Sequence, residues 1–314
     1  MSRGCPPRHL RVVSSRQTGA TITLTGRGAT HVRDIPGPAG APVVLLLHGW
    51  TATADLNWAS SFDALSKHYR VIALDHRGHG RGIRSSNPFT LEACADDAAA
   101  LLRHLGIPNA TVVGYSMGGP IAQLLWQRHP ALVSGLVLCA TSDHFVDAAW
   151  ERLLFTLAPV CARLSRLFPL DAPIRAAQRL RRLSGRDGAY MALAAEALMS
   201  HHWPAIVEGA VALGRFDSRP WLGEVDVPTA AVLTTRDRVV PTARQRAMGA
   251  SVRGASIYEV SAGHDVCING AALFVPQLLR ACSDVTTSVN ETQTSRRRHF
   301  THGFGSEVGV ERCA

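Results

Sequence analysis

A chain of 314 residues with 46% hydrophobic and 18% charged side chains has enough apolar surface for a large core, which excludes a globally disordered protein. Its formal charge of +9 comes almost wholly from arginine, with Lys67 the only lysine. No aromatic-interleaved basic motif goes with it, so the charge is expected to be solvated surface and no nucleic-acid partner is expected.

No apolar run reaches the length of a membrane span, and the first twenty residues lack the apolar stretch of a secretion signal. The expected location is cytoplasmic, and no motif supports contact with a membrane surface. Seven scattered cysteines without paired ligand spacing are expected to be reduced, buried thiols. The length suits one catalytic domain carrying an insertion better than two independent domains.

Residues 1–19 read as a basic tail, with arginines at 3, 8, 11 and 16. From Ala20 to Ile35, alternating apolar and polar residues around Gly26-Arg27-Gly28 predict a hairpin. Val43 to Leu47 is an uninterrupted apolar run, as expected of a strand buried on both faces of a parallel sheet. Similar runs follow at Tyr69 to Leu74, Ala110 to Val113, Gly135 to Ala140, Thr229 to Thr234 and Ala255 to Val260. Helix-period stretches separate most of them, including Leu91 to Leu105 and Pro120 to Arg128. The alternation predicts an α/β fold with a doubly wound, mostly parallel sheet.

The repeat breaks over 144–219, where leucine-, alanine- and arginine-rich helical segments predict a cap inserted between core parts 20–143 and 220–282. From Ser283 to residue 314 the chain turns polar and Ser/Thr-rich, with the run Arg296-Arg297-Arg298, and is expected to be a disordered tail.

The chemistry centres on Gly114-Tyr115-Ser116-Met117-Gly118-Gly119, where a strand enters a glycine-flanked serine and then a helix. This is the G-x-S-x-G nucleophile elbow in its required context. Side chains at Gly114 or Gly118 would collide with the neighbouring strand and helix, and the turn projects the Ser116 hydroxyl at the strand ends.

A serine hydroxyl needs a base, an acid that orients the base, and donors for a developing oxyanion. The turn His48-Gly49-Trp50 follows a buried strand and offers the Trp50 backbone amide, with the Met117 amide as the second donor. Asp237 ends a late strand, where open α/β sheets place functional groups. Asp143 is the alternate acid, and Asp226 is less well placed. His264 lies on a loop after Gly263, giving the order Ser, Asp, His. Asp265 is assigned no role, and His79 is expected to pack rather than to touch substrate.

With His48-Gly49-Trp50, Asp75-His76-Arg77-Gly78-His79-Gly80, the elbow, Asp237 and Gly263-His264 in place, the chain resembles the α/β-hydrolase superfamily from about Ala20 to Arg280. Its S-M-G-G elbow is similar to those of monoacylglycerol lipases, enol-lactonases and cofactor-free haloperoxidases. The resemblance implies a serine hydrolase with triad Ser116, Asp237 and His264, no metal or organic cofactor, and a small, apolar ester as substrate. A carbon–carbon bond hydrolase, a perhydrolase or haloperoxidase, and a small-molecule receptor with vestigial hydrolysis are the alternatives on the same triad.

Overall fold

The structure, a computed structural model, describes residues 19–146 and 188–302. The hairpin is formed by β1 (Ala20–Leu24) and β2 (Gly28–Ile35), paired antiparallel with Ala20 opposite Val32. The next strands are β3 (Val43–Leu47), β4 (Arg70–Leu74), β5 (Ala110–Tyr115), β6 (Val133–Cys139), β7 (Thr229–Thr234) and β8 (Ser256–Val260).

They build one eight-stranded sheet in the order β1-β2-β4-β3-β5-β6-β7-β8, antiparallel at β1/β2 and β2/β4 and parallel elsewhere. The predicted doubly wound, mostly parallel sheet is present. The continuous apolar runs lie at its centre because both faces are covered: Val44 to Leu47 have no exposed surface. Apolar side chains from the two faces form two separate core clusters.

Helices α1 (Ala54–Leu65), α2 (Leu91–His104) and α3 (Gly118–Arg128) fill the first crossovers. Thr53 and Thr90 cap the first two, their hydroxyls accepting from the Leu56 and Ala93 amides at 3.1 and 3.0 Å. Within the expected cap, residues 188–219 include α4 (Gly188–Ser200) and α5 (Trp203–Arg215), while 147–187 lie outside the described residues. The expected basic tail also lies outside them, except for Gly19. Helix α6 (Thr242–Ser251) connects β7 to β8.

The C-terminal expectation is corrected for residues 283–302, while residues 303–314 lie outside the described residues. Helix α7 (Ala271–His302) continues through Ser283, so the polar sequence there does not end the order. A packed helix needs only one apolar stripe, and Phe274, Leu278, Cys282 and Val285 supply it at helical spacing. The helix lies close against β6, where a Cβ on Gly135 would fall 2.3 Å from a Val285 methyl group. Ser283, Thr287 and Ser288 lie on the exposed side of the same helix. Cys94, Cys139, Cys267 and Cys282 are free and buried, and Cys5, Cys161 and Cys313 lie outside the described residues. No helix among the described residues is long and apolar enough to cross a membrane.

Candidate active site

Ser116 occupies the tight turn between β5 and α3 with φ of 52°, a left-handed conformation that non-glycine residues rarely adopt. Hydrogen bonds hold it there. Its amide donates to the Cys139 carbonyl at 2.9 Å, and its own carbonyl accepts from the Thr141 hydroxyl at 2.7 Å and the Gly119 amide at 2.9 Å. The flanking glycines are required by close backbone approach: a Cβ on Gly114 would sit 2.3 Å from the Gly118 carbonyl oxygen, and one on Gly118 would sit 2.1 Å from that of Leu47.

The loops after β7 and β8 bring Asp237 and His264 to the same sheet edge. His264 Nε2 lies 2.9 Å from Ser116 Oγ, and its Nδ1 lies 2.7 Å from Asp237 Oδ2. An ionised carboxylate can only accept, so Nδ1 carries the proton and the Nε2 lone pair faces the serine hydroxyl. The Tyr115 hydroxyl donates to the His264 carbonyl at 2.6 Å, anchoring the histidine's loop to the strand that leads into Ser116.

Asp237 is saturated with donors. Its Oδ1 accepts from the Val239 and Val240 amides at 2.8 and 2.9 Å, and its Oδ2 accepts from the Thr234 hydroxyl at 2.6 Å and the Gln245 amide at 3.1 Å. Burial alone pushes this carboxyl up, but the bonds from His264 and Thr234, with the His264 charge and the Val240 amide, outweigh it and hold the group below the usual carboxylate range. The Asp237 side chain is fully buried, whereas that of His264 keeps 20% exposure, so its ring reaches solvent.

The turn after β3 is locked from beneath. The Gly49 amide donates to Asn57 Oδ1 at 3.0 Å, and the Gly49 carbonyl lies 2.8 Å from His48 Nδ1. His48 Nε2 accepts from the His76 amide at 2.9 Å, which leaves the proton on Nδ1 to bond the Gly49 carbonyl. Burial lowers His48 to about 4 against the weaker opposing effect of that carbonyl, so the ring stays neutral at pH 7. In a trans peptide the N–H points opposite the C=O, so fixing the Gly49 carbonyl fixes the direction of the Trp50 N–H. Gly49 itself faces Ser116: a Cβ there would lie 3.3 Å from Ser116 Cβ. Neither the Trp50 nor the Met117 amide has a hydrogen-bond acceptor among the described residues. Trp50, 41% exposed as a residue, donates through its indole to the Ile206 carbonyl of α5 at 2.9 Å.

The other candidates fall elsewhere. Asp143 bonds His144 at 2.7 Å rather than His264, Asp226 accepts from the Trp126 indole at 3.1 Å, and Asp265 accepts from Asn269 at 2.7 Å. His79 is fully buried, 5.7 Å from the Phe89 ring and 5.4 Å from that of His201, which is a packing position. Sequence reasoning missed Thr234, Gln245, Tyr115 and Asn57. Only Tyr115 carried a local signal, its place inside the elbow. No group of three or more His, Cys, Asp or Glu side chains among the described residues could hold a metal ion.

A family model described as alpha/beta hydrolase fold matches residues 42–161. The chain is 33% identical over 223 residues to the pimeloyl-[acyl-carrier protein] methyl ester esterase of Chromobacterium violaceum, covering 69% of this chain and 85% of that protein. It is 30% identical over 241 residues to the magnesium-chelatase 30 kDa subunit of Rhodobacter capsulatus, covering 73% of this chain and 82% of the relative. The crystal structure of the enol-lactonase from Burkholderia xenovorans LB400 superposes with a TM-score of 0.71 at 24% identity, over 84% of this chain and all of that one. The sheet order, the elbow and these relatives together make the chain a member of the α/β-hydrolase fold family.

Proposed function

We propose that the protein is a serine hydrolase that cleaves a small, apolar carboxylic ester through an acyl-enzyme, with Ser116 as nucleophile, His264 as base and Asp237 as the orienting acid. The observation that carries this reading is the continuous relay from the Asp237 carboxylate through His264 to the Ser116 hydroxyl, at 2.7 and 2.9 Å. The likeness to a methyl ester esterase supports the ester class.

His264 Nε2 takes the Ser116 proton as Oγ attacks the ester carbonyl carbon. The carbonyl π electrons move onto oxygen, and the backbone amides of Trp50 and Met117 receive that charge. Met117 opens α3, whose N-terminal dipole end favours an anion at the same place. The tetrahedral adduct collapses, and the C–O bond to the alcohol breaks as His264 returns its proton to the leaving oxygen. Water then gives a proton to Nε2 and attacks the acyl carbon; the adduct expels Ser116 Oγ, which recovers that proton, and the acid departs. Throughout, Asp237 keeps the Nδ1 proton in place and stabilises the imidazolium when it forms.

Hydrolysis of p-nitrophenyl esters of graded acyl length, by wild type and by folded Ser116→Ala, tests the proposal. Ester cleavage lost in the alanine variant is expected. A folded wild type that cleaves none of the esters, or an equally active alanine variant, would overturn it.

A further inference from the structure

Where α4 gives way to α5, the chain passes over the loop that carries Trp50, and His201 fills the gap between two core turns. The ring is buried and both nitrogens are used. Nδ1 accepts from the Gly80 amide at 2.9 Å, and Nε2 lies 3.1 Å from the Thr51 carbonyl oxygen. A backbone N–H can only donate and a carbonyl can only accept, so the geometry admits one neutral tautomer, with its proton on Nε2. Burial, aided by the nearby His48 and Arg84, lowers His201 to about 4, so this tautomer persists at neutral pH.

The carbonyl that His201 holds belongs to a strained residue. Thr51 has φ of 57°, a conformation that β-branched residues rarely take and that needs its surroundings to fix it. Trp50, one residue earlier, is tied to the same helical segment by its indole bond to Ile206. The adjoining His202 amide donates to the Gly78 carbonyl at 2.8 Å, which seats the segment on the Asp75–Gly80 turn. His48 fixes the peptide that enters Trp50 from below, and the His201 bond fixes the peptide that leaves Thr51 from above.

We propose that His201 is a positioning residue for ester hydrolysis: by holding the Thr51 carbonyl it keeps the Trp50 amide aimed at the oxyanion, and so makes the helical segment part of the catalytic geometry. This rests on the ester-hydrolase reading above.

Two substitutions separate the two bonds of the ring. His201→Asn places an acceptor near the Nδ1 position, keeping the Gly80 contact, but does not reach the Thr51 carbonyl. His201→Gln reaches further and keeps a donor for that carbonyl. Each is assayed on p-nitrophenyl butyrate and with a trifluoromethyl ketone, which forms a tetrahedral adduct on the serine with its oxygen where the oxyanion forms.

His201→Asn is expected to lower kcat about 10- to 100-fold with KM little changed, the scale of a misplaced catalytic group. It should weaken the ketone by the same factor as kcat/KM falls. His201→Gln should retain most of the wild-type kcat. Equal kcat in wild type and both folded variants, or a loss in His201→Asn that appears as raised KM with unchanged kcat, overturns the role of His201 while leaving the hydrolase reading intact. A wild type that cleaves no ester fails the hydrolase reading itself, and the inference falls with it.

Discussion

Asp237→Asn tests the assignment of the acid sharply, because the substitution preserves shape while reversing one hydrogen bond. The Asp237 Oδ1 position accepts from two backbone amides, Val239 and Val240, which cannot turn away. The oxygen of the introduced amide must therefore take that position, and its NH₂ must take the place of Oδ2, 2.7 Å from His264 Nδ1. An NH₂ there donates to Nδ1, so the ring proton moves to Nε2. The imidazole then points a proton at the serine hydroxyl and cannot accept one. The expected loss in kcat is about 10⁴-fold, about 5.4 kcal/mol of transition-state stabilisation. Gln245 would face the same NH₂ with its own amide donor, adding about 1–3 kcal/mol of folding instability. The assay is steady-state hydrolysis of p-nitrophenyl butyrate, with ¹⁵N NMR of the imidazole to read the tautomer. A folded variant within tenfold of wild-type kcat, or one whose proton stays on Nδ1, would refute the tautomer argument and return Asp143 to consideration.

Gly118→Ala should be destabilised by about 3 kcal/mol or fail to fold, because its Cβ would fall 2.1 Å from the Leu47 carbonyl oxygen; urea denaturation measures this, and near wild-type stability would contradict the close packing at the elbow. A chain ending at Ser283 loses the buried Val285 and the buried Thr286 hydroxyl that bonds the Cys282 carbonyl, and should be about 2–3 kcal/mol less stable than one ending at Glu291; equal midpoints would mean that the helix contributes nothing past Ser283. His48 is held at about 4, below the unfolded value of roughly 6.5, so it is neutral when folded and takes up a proton on unfolding between those values. Its contribution to stability is fully present above about pH 6.5 and is lost as pH falls toward 4; His48→Asn should flatten that slope in denaturant titrations, and an unchanged slope would rule out His48 as its source.

How far the sequence could be read follows from where each signal lives. The central strands were legible because a strand covered on both faces has no polar alternation to obscure it, as at Val43 to Leu47. Ser116 was legible because the close approach at Gly114 and Gly118 forces a fixed spacing, and Asp237 and His264 because strand ends and chain order mark them. The grip on Asp237 was not, since Gln245 acts from the following helix α6 and its type has many other uses. His201 was equally hidden: it meets Thr51 across 150 residues of sequence, and no local pattern encodes such a distance. The tail was misread for a different reason. Composition averages all faces of a helix, so the one buried stripe through Cys282 and Val285 was outvoted by the polar residues between its members.

The order of strands in the sheet also bears on how the protein is made. Strands β1 to β6 are complete by Cys139, yet β7 begins only at Thr229 and pairs with β6 on the side that is otherwise open. While the intervening residues are being synthesised, β6 is an apolar strand with a bare hydrogen-bonding edge, the kind of surface that recruits other chains. Helix α7, which packs against β6 and β7, arrives later still. A ribosome-bound chain thus displays Ser116 in a half-built sheet long before His264 exists to meet it, through the same interval when its β6 edge is most exposed to association.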